Sequence, residues 1–185
     1  MGLTIFLDID GVLNSRTYFN SVLDIDPHNP ADFLDPLACK NLHHFLNRFR
    51  CDIVLSSTWR LLHPIAEIEN ALAQNGLPLI FTDKTIIFDD ICKTRYDEIV
   101  EYIDRIGDNS TYLVIDDDLI FEDQVTPLDH IPDKDMYTFK VDGTTGFTET
   151  DSLLLTKFGE TICRSKSNTI PNPLVSTKTT TFINT

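Results

Sequence analysis

The stretch TIFLDIDGVLNS, residues 4–15, decides how the chain is read. Its apolar run is rich in β-branched and aromatic residues and reads as a buried strand. The run ends in Asp8 and Asp10, with Gly11 directly behind them. Residues two apart project to the same side of an extended chain, so the two carboxylates leave the strand together. Glycine lets the backbone turn away at once, which leaves the acid pair at a sheet edge.

Working outward, CDIVLSS (51–57), STYLVIDDD (110–118) and MYTFKVD (136–142) read as further buried strands. Between them lie helical patterns. Asp35-Pro36 opens one over 36–50, a second runs from about Ile65 to Asn75-Gly76, a third covers 94–107, and a last one covers 148–162. LIFTDKTIIF (79–88) reads as one or two short strands or an extended loop, and residues 14–34 as irregular. Apolar strands alternating with helices predict an α/β domain whose mostly parallel sheet is covered on both faces.

Ligands of such sheets bind beyond the carboxyl ends of the strands. There the first strand brings Asp8 and Asp10, the second Ser56 and Ser57, and the third Asp116, Asp117 and Asp118. If these strands are neighbours, at least four carboxylates converge, and each raises the pKa of the next. A hard divalent cation removes that conflict, and an oxygen-only ligand set suits magnesium. One of Asp8 and Asp10 can then attack while its neighbour moves the proton. Lys93, opening the helix before the third strand, is placed to hold the nucleophile ionised and to offset phosphoryl charge, with Arg95 as the alternative.

The 185 residues suffice for one domain with a core, expected over 1–163, followed by a flexible polar tail or linker over 164–185. A formal charge of −14, with 29 acids against 15 Lys and Arg, argues against holding long nucleic acid by bulk electrostatics. Four cysteines lie far apart, with no C-x-x-C pair. They read as free thiols in a reducing compartment. Cys92 has Arg95 three residues on rather than six, so the C-x5-R loop of cysteine-dependent phosphatases is missing. No run reaches membrane-span length and no signal peptide is visible, so a cytoplasmic location is expected.

These pieces resemble, in order, the four motifs of the haloacid dehalogenase-like (HAD) superfamily. DIDGV is similar to the first motif, IVLSS to the second, Lys93 to the third and LVIDDD to the fourth, and the resemblance covers residues 3 to about 160. SSTWR, TRYDEI and LVIDDD, with GTTGFTETD behind them, further resemble the HAD domain of bacterial and phage proteins linked to RNA repair. The resemblance implies a three-layer Rossmann-like fold and an aspartyl-phosphate mechanism. Asp8 would attack phosphorus, and Asp10 would protonate the leaving oxygen and then activate water. Magnesium would be held by Asp8, Asp10 through its backbone carbonyl, Asp116 and Asp117, while Ser56 or Ser57 would bind phosphoryl oxygens. The acid at position 10 points to a phosphatase rather than a dehalogenase or a P-type ATPase.

Neither the interval from Asp10 to Ser56 nor that from Ser56 to Lys93 leaves room for a large cap domain, so an open site suited to a bulky phosphorylated substrate is expected. Arg16, Tyr18 and Phe19 would form its rim. Trp59 and Arg60 read either as substrate contacts or as packed structural residues. The acidity places phosphotyrosine or another phosphoprotein residue ahead of a nucleic-acid end or nucleotide as substrate. A catalytically silent binding module of the same fold is the alternative from another class.

Overall fold

Along β1 (Leu3–Leu7) successive side chains enter two separate cores. Ile5 and Leu7 belong to one and Phe6 to the other, all at most 1% exposed. This is the alternation of a strand buried on both faces. The computed structural model describes residues 2–88, 93–107, 110–118 and 128–167, without the side chains of 133 and 163–167.

Six strands form one sheet in the order β3-β2-β1-β4-β6-β5. β2 (Cys51–Leu55) and β4 (Thr111–Asp116) flank β1 in parallel, with Leu7 opposite Leu55 and Ile115. β6 (Met136–Lys140) pairs in parallel with β4, and the two-residue β3 (Asp83–Lys84) with β2. β5 (Leu128–Ile131) is the antiparallel edge, a sixth strand that the sequence reading did not contain. The three strands expected to carry the site are therefore neighbours, with β1 in the middle.

The larger core joins the sheet to α2 (Pro36–Leu46), α4 (Ile65–Gln74) and α6 (Glu149–Ser167) through Leu42, Phe45, Ile68, Leu72 and Leu155. The opposite core uses α5 (Arg95–Ile106), whose Ile99, Tyr102 and Ile103 cover Phe6, Val54 and Val114. Phe6 meets the Tyr102 ring edge-on at 5.4 Å. The result is a three-layer, mostly parallel, Rossmann-like α/β fold with no large cap among the described residues. Because α2 and α4 lie on one face and α5 on the other, the chain reverses its winding between β1 and β4. That gap is the topological switch point at which such sheets bind ligands.

Several local expectations change. Residues 14–34 contain α1 (Arg16–Ser21), capped by the Ser15 hydroxyl, and a 3-10 turn over Pro30–Phe33 capped by Asn29. Both are short enough for capping, rather than apolar periodicity, to define them. A further short helix, α3 (Trp59–Leu62), follows β2 directly. α6 runs to Ser167, past the expected end at 162, and residues 168–185 of the expected tail lie outside the described residues. Cys39 is buried and Cys51 half-buried, both free, and burial pushes their thiols up to about 12 and about 11. Cys92 and the Cys163 side chain lie outside the described residues.

Candidate active site

Asp8 follows β1 directly and Asp116 ends β4, on the two sides of the switch point. The Asp8 backbone N–H still bonds to Ile115 O at 3.0 Å, so pairing of the two strands continues up to the acid. The Asp8 and Asp116 side chains are buried, at 4% and 3% exposure. With the half-buried Asp117 they offer one oxygen each within 4.8 Å of one another.

Among the described residues, the cation that reaches this cluster is Arg95. Its Nη1 donates to Asp116 Oδ2 at 3.1 Å and lies 3.1 Å from Asp8 Oδ1. Lys93 stands elsewhere, with Nζ 3.9 Å from Asp97 and 5.6 Å from the centre of the Phe88 ring. The physical reason is where α5 begins. Thr94 is the N-cap and forms a reciprocal capping box with Asp97, so Arg95 is the first helical residue and Lys93 stays outside the helix. The T-x-x-D spacing at 94–97 is the sequence signal that marks this start.

Asp10 is exposed, yet its carboxylate is held from two directions. Asn14 Nδ2 and Trp59 Nε1 both donate to its Oδ1 at 2.9 Å, and the Thr58 hydroxyl lies 3.4 Å from its Oδ2. Asn14 Oδ1 meanwhile accepts from Gly11 N at 2.8 Å, closing the turn that Gly11 makes with a φ of 70°. Asn14 and Thr58 were not singled out from the sequence. Trp59 is buried and spends its only polar atom on Asp10, so it offers no stacking face to a substrate of the kind the sequence reading allowed.

Arg60 likewise turns inward. Its side chain is 2% exposed, and the guanidinium pairs with Glu98 at 2.6 Å and donates to the carbonyls of Ser56 and Ser57 and, at 3.4 Å, to that of Ile86. It clamps the turn between β2 and α3, and its polar contacts are all inside the protein. Of the two serines, Ser57 is the one whose side chain favours the ionised Asp8 carboxylate, against the effect of burial. The Ser56 hydroxyl is buried and makes no hydrogen bond among the described residues.

Burial, opposed by Arg95, raises the pKa of Asp8. Burial and then the Asp8 charge push Asp116 up to about 7, and burial followed by Asp8 also raises Asp117. One arginine does not neutralise three such carboxylates, and without a further cation they cannot all be ionised. Asp8 Oδ1 is also buried with no hydrogen-bond donor aligned on it among the described residues, despite the ion-pair distance to Arg95. The space for Asp117 is kept by two glycines: a Cβ at Gly11 or at Gly143 would collide with its carboxylate. The loop that carries Gly143 is fixed in turn by Arg16 N donating to Gly143 O at 3.2 Å and Thr17 N to Thr144 O at 3.0 Å. An oxygen-liganded divalent cation fits this donor set. Asp8, Asp116 and Asp117 could hold it, and the orphaned Asp8 oxygen is the group that most needs it.

The family described as the HAD domain in Swiss Army Knife RNA repair proteins matches residues 4–152. No curated protein and no solved structure matches the chain. The family match spans most of the chain and contains the acids of β1 and β4, the serines after β2 and Arg95, and the chain belongs to this family of HAD domains.

Proposed function

We propose that this chain is a magnesium-dependent phosphomonoester phosphatase that works through an aspartyl-phosphate on Asp8. The observation that carries the reading is Asp8 itself: a buried carboxylate at the switch point, facing Asp116 and Asp117, with one oxygen unpartnered and an arginine 3.1 Å away. Bound to Asp8, Asp116 and Asp117, magnesium would keep the carboxylates ionised and draw charge from the phosphoryl oxygens. Arg95 holds the Asp8 carboxylate in place for attack on phosphorus, and the Ser57 side chain helps to keep it ionised. As the phosphorus–oxygen bond breaks, Asp10 gives a proton to the leaving oxygen, and it later takes one from the water that cleaves the acyl phosphate. Arg60 acts indirectly, by fixing the Ser56–Ser57 carbonyls behind the site.

The substrate class that best fits is a nucleic-acid end carrying a 3′- or 5′-phosphate. The family's description speaks of RNA repair, and the absence of a large cap among the described residues leaves the site open to a macromolecule. Phosphotyrosine rests on the acidity alone. A charge of −14 disfavours a long polyanion lying across the surface but not the entry of one terminal phosphate. The test is phosphate release from 3′- and 5′-phosphorylated oligoribonucleotides, phosphotyrosine peptides and p-nitrophenyl phosphate, with magnesium or with EDTA. Magnesium-dependent turnover with preference for an oligonucleotide end supports the reading. Preference for the peptides refutes the substrate class, and no turnover of any substrate refutes the phosphatase and favours a binding module.

A further inference from the structure

We infer that Trp59 is a positioning residue for the proton-transferring carboxyl group of Asp10, an inference that rests on the phosphatase reading above. A buried indole N–H needs an acceptor, and most acceptors available to it would satisfy it equally. Here the acceptor is the carboxylate of an otherwise exposed aspartate, reached at 2.9 Å. Asn14 and Trp59 place two N–H groups on the same oxygen, Oδ1, whereas among the described residues Oδ2 has only the Thr58 hydroxyl, at 3.4 Å. The two oxygens of Asp10 are therefore not equivalent. Oδ1 is tied down, and Oδ2 is the oxygen turned over to the leaving group and then to water. A hydroxyl neighbour suits that task, since it can donate to Oδ2 or accept from it.

The indole is held firmly enough to do this. Trp59 N lies 3.4 Å from Ser57 Oγ, the next residue is Arg60 with its guanidinium locked on Glu98, and the ring packs beside His63 at 5.7 Å. The orientation of Asp10 is thus transmitted from the partly buried Glu98–Arg60 pair through α3. Asn14 reaches Asp10 from within its own turn, so Trp59, at 2.9 Å against 3.4 Å for Thr58, is the shorter of the two ties between the proton-transfer group and the segment after the second strand.

The test compares kcat/KM for p-nitrophenyl phosphate, whose nitrophenolate leaves without help, with that for an alkyl phosphomonoester, whose alkoxide must be protonated as it leaves. For Trp59→Phe we expect roughly a tenfold greater loss on the alkyl ester than on p-nitrophenyl phosphate, the size of one lost hydrogen bond to a charged group. Benzothienylalanine at position 59 keeps the ring shape without the N–H and should show the same split, which separates lost donation from lost packing. Because the chain has 1 Trp, its indole N–H gives a single assignable resonance, and this should move in Asp10→Asn of the full chain. Equal loss on both esters, or an indole resonance unmoved by Asp10→Asn, overturns the positioning role while leaving the phosphatase intact. A wild type that hydrolyses neither ester overturns the phosphatase and the catalytic role together.

Discussion

Raising the pH is expected to destabilise the metal-free protein at its active site, and magnesium is expected to reverse the effect. Asp116 keeps its proton up to about 7 in the folded chain, because of burial first and the Asp8 charge second. In the unfolded chain it gives the proton up near 3.9. Between those values the folded state holds a proton that the unfolded state does not, so the stability this group contributes is full below the unfolded pKa and is lost as the pH rises through the folded one. About three pKa units at about 1.4 kcal/mol each set a ceiling of about 4 kcal/mol over the whole range. Above pH 5 about two of those units remain to be lost, at most about 3 kcal/mol, which for a chain of this size is a fall in melting midpoint of up to roughly ten degrees. The assay is thermal unfolding from about pH 5 to about pH 8, in EDTA and in magnesium, of wild type and Asp116→Asn, whose difference isolates this site from other titrating groups. In EDTA the variant should gain on the wild type as the pH rises. Magnesium should stabilise the wild type more at high pH, where no proton has to be displaced, and the variant little. A wild-type-minus-variant difference that is flat with pH, or an equal magnesium effect at both ends of the range, would refute the electrostatic account of the carboxylate cluster.

Arg95→Met should lower kcat/KM at least a hundredfold, since it leaves the buried Asp8–Asp116 pair without its cation, whereas Lys93→Ala should stay within about twofold; comparable losses would return the role to Lys93. Arg60→Leu leaves Glu98 and the Ser56 and Ser57 carbonyls without their donor, and should cost about 3 kcal/mol, read as a fall of roughly 6–12 °C in melting midpoint. Gly143→Ala, whose methyl would meet the Asp117 carboxylate, should raise the magnesium concentration needed for half-maximal activity while changing the melting midpoint by only a few degrees in EDTA. An unchanged magnesium requirement would remove Asp117 from the ligand set.

What the sequence made legible was whatever is written in runs. β1, β2, β4 and β6 are near-continuous apolar segments, because each is buried on both faces, and Asp8, Asp10, Asp116 and Asp117 stand at their carboxyl ends. α1, α3, β3 and β5 have two to six residues apiece, too few for a period to show; a cap holds α1, the inward bonds of Trp59 and Arg60 hold α3, and neighbouring strands hold β3 and β5. Lys93 and Arg95 both offered a cation, and only the capping box at Thr94 and Asp97 decides between them, since it sets where α5 starts and so which side chain faces the acids. Arg60 and Trp59 look like substrate contacts in a linear reading, because a charge and an aromatic ring just past a strand invite that role. In three dimensions each is drawn inward by a polar partner far away in sequence, Glu98 for one and Asp10 for the other. Asn14 carried no pattern at all, because its role depends on the turn at Gly11 folding back on itself.

The central claim is that Asp8 is the nucleophile, and the most direct measurement is chemical trapping. Wild-type protein quenched during turnover of p-nitrophenyl phosphate in magnesium should carry an acyl phosphate that borohydride reduces, leaving homoserine at position 8 by peptide mass spectrometry, and Asp8→Asn should show neither trapping nor phosphate release. Turnover by wild type with position 8 unmodified, or trapping at Asp10 or Asp116 instead, would contradict the account.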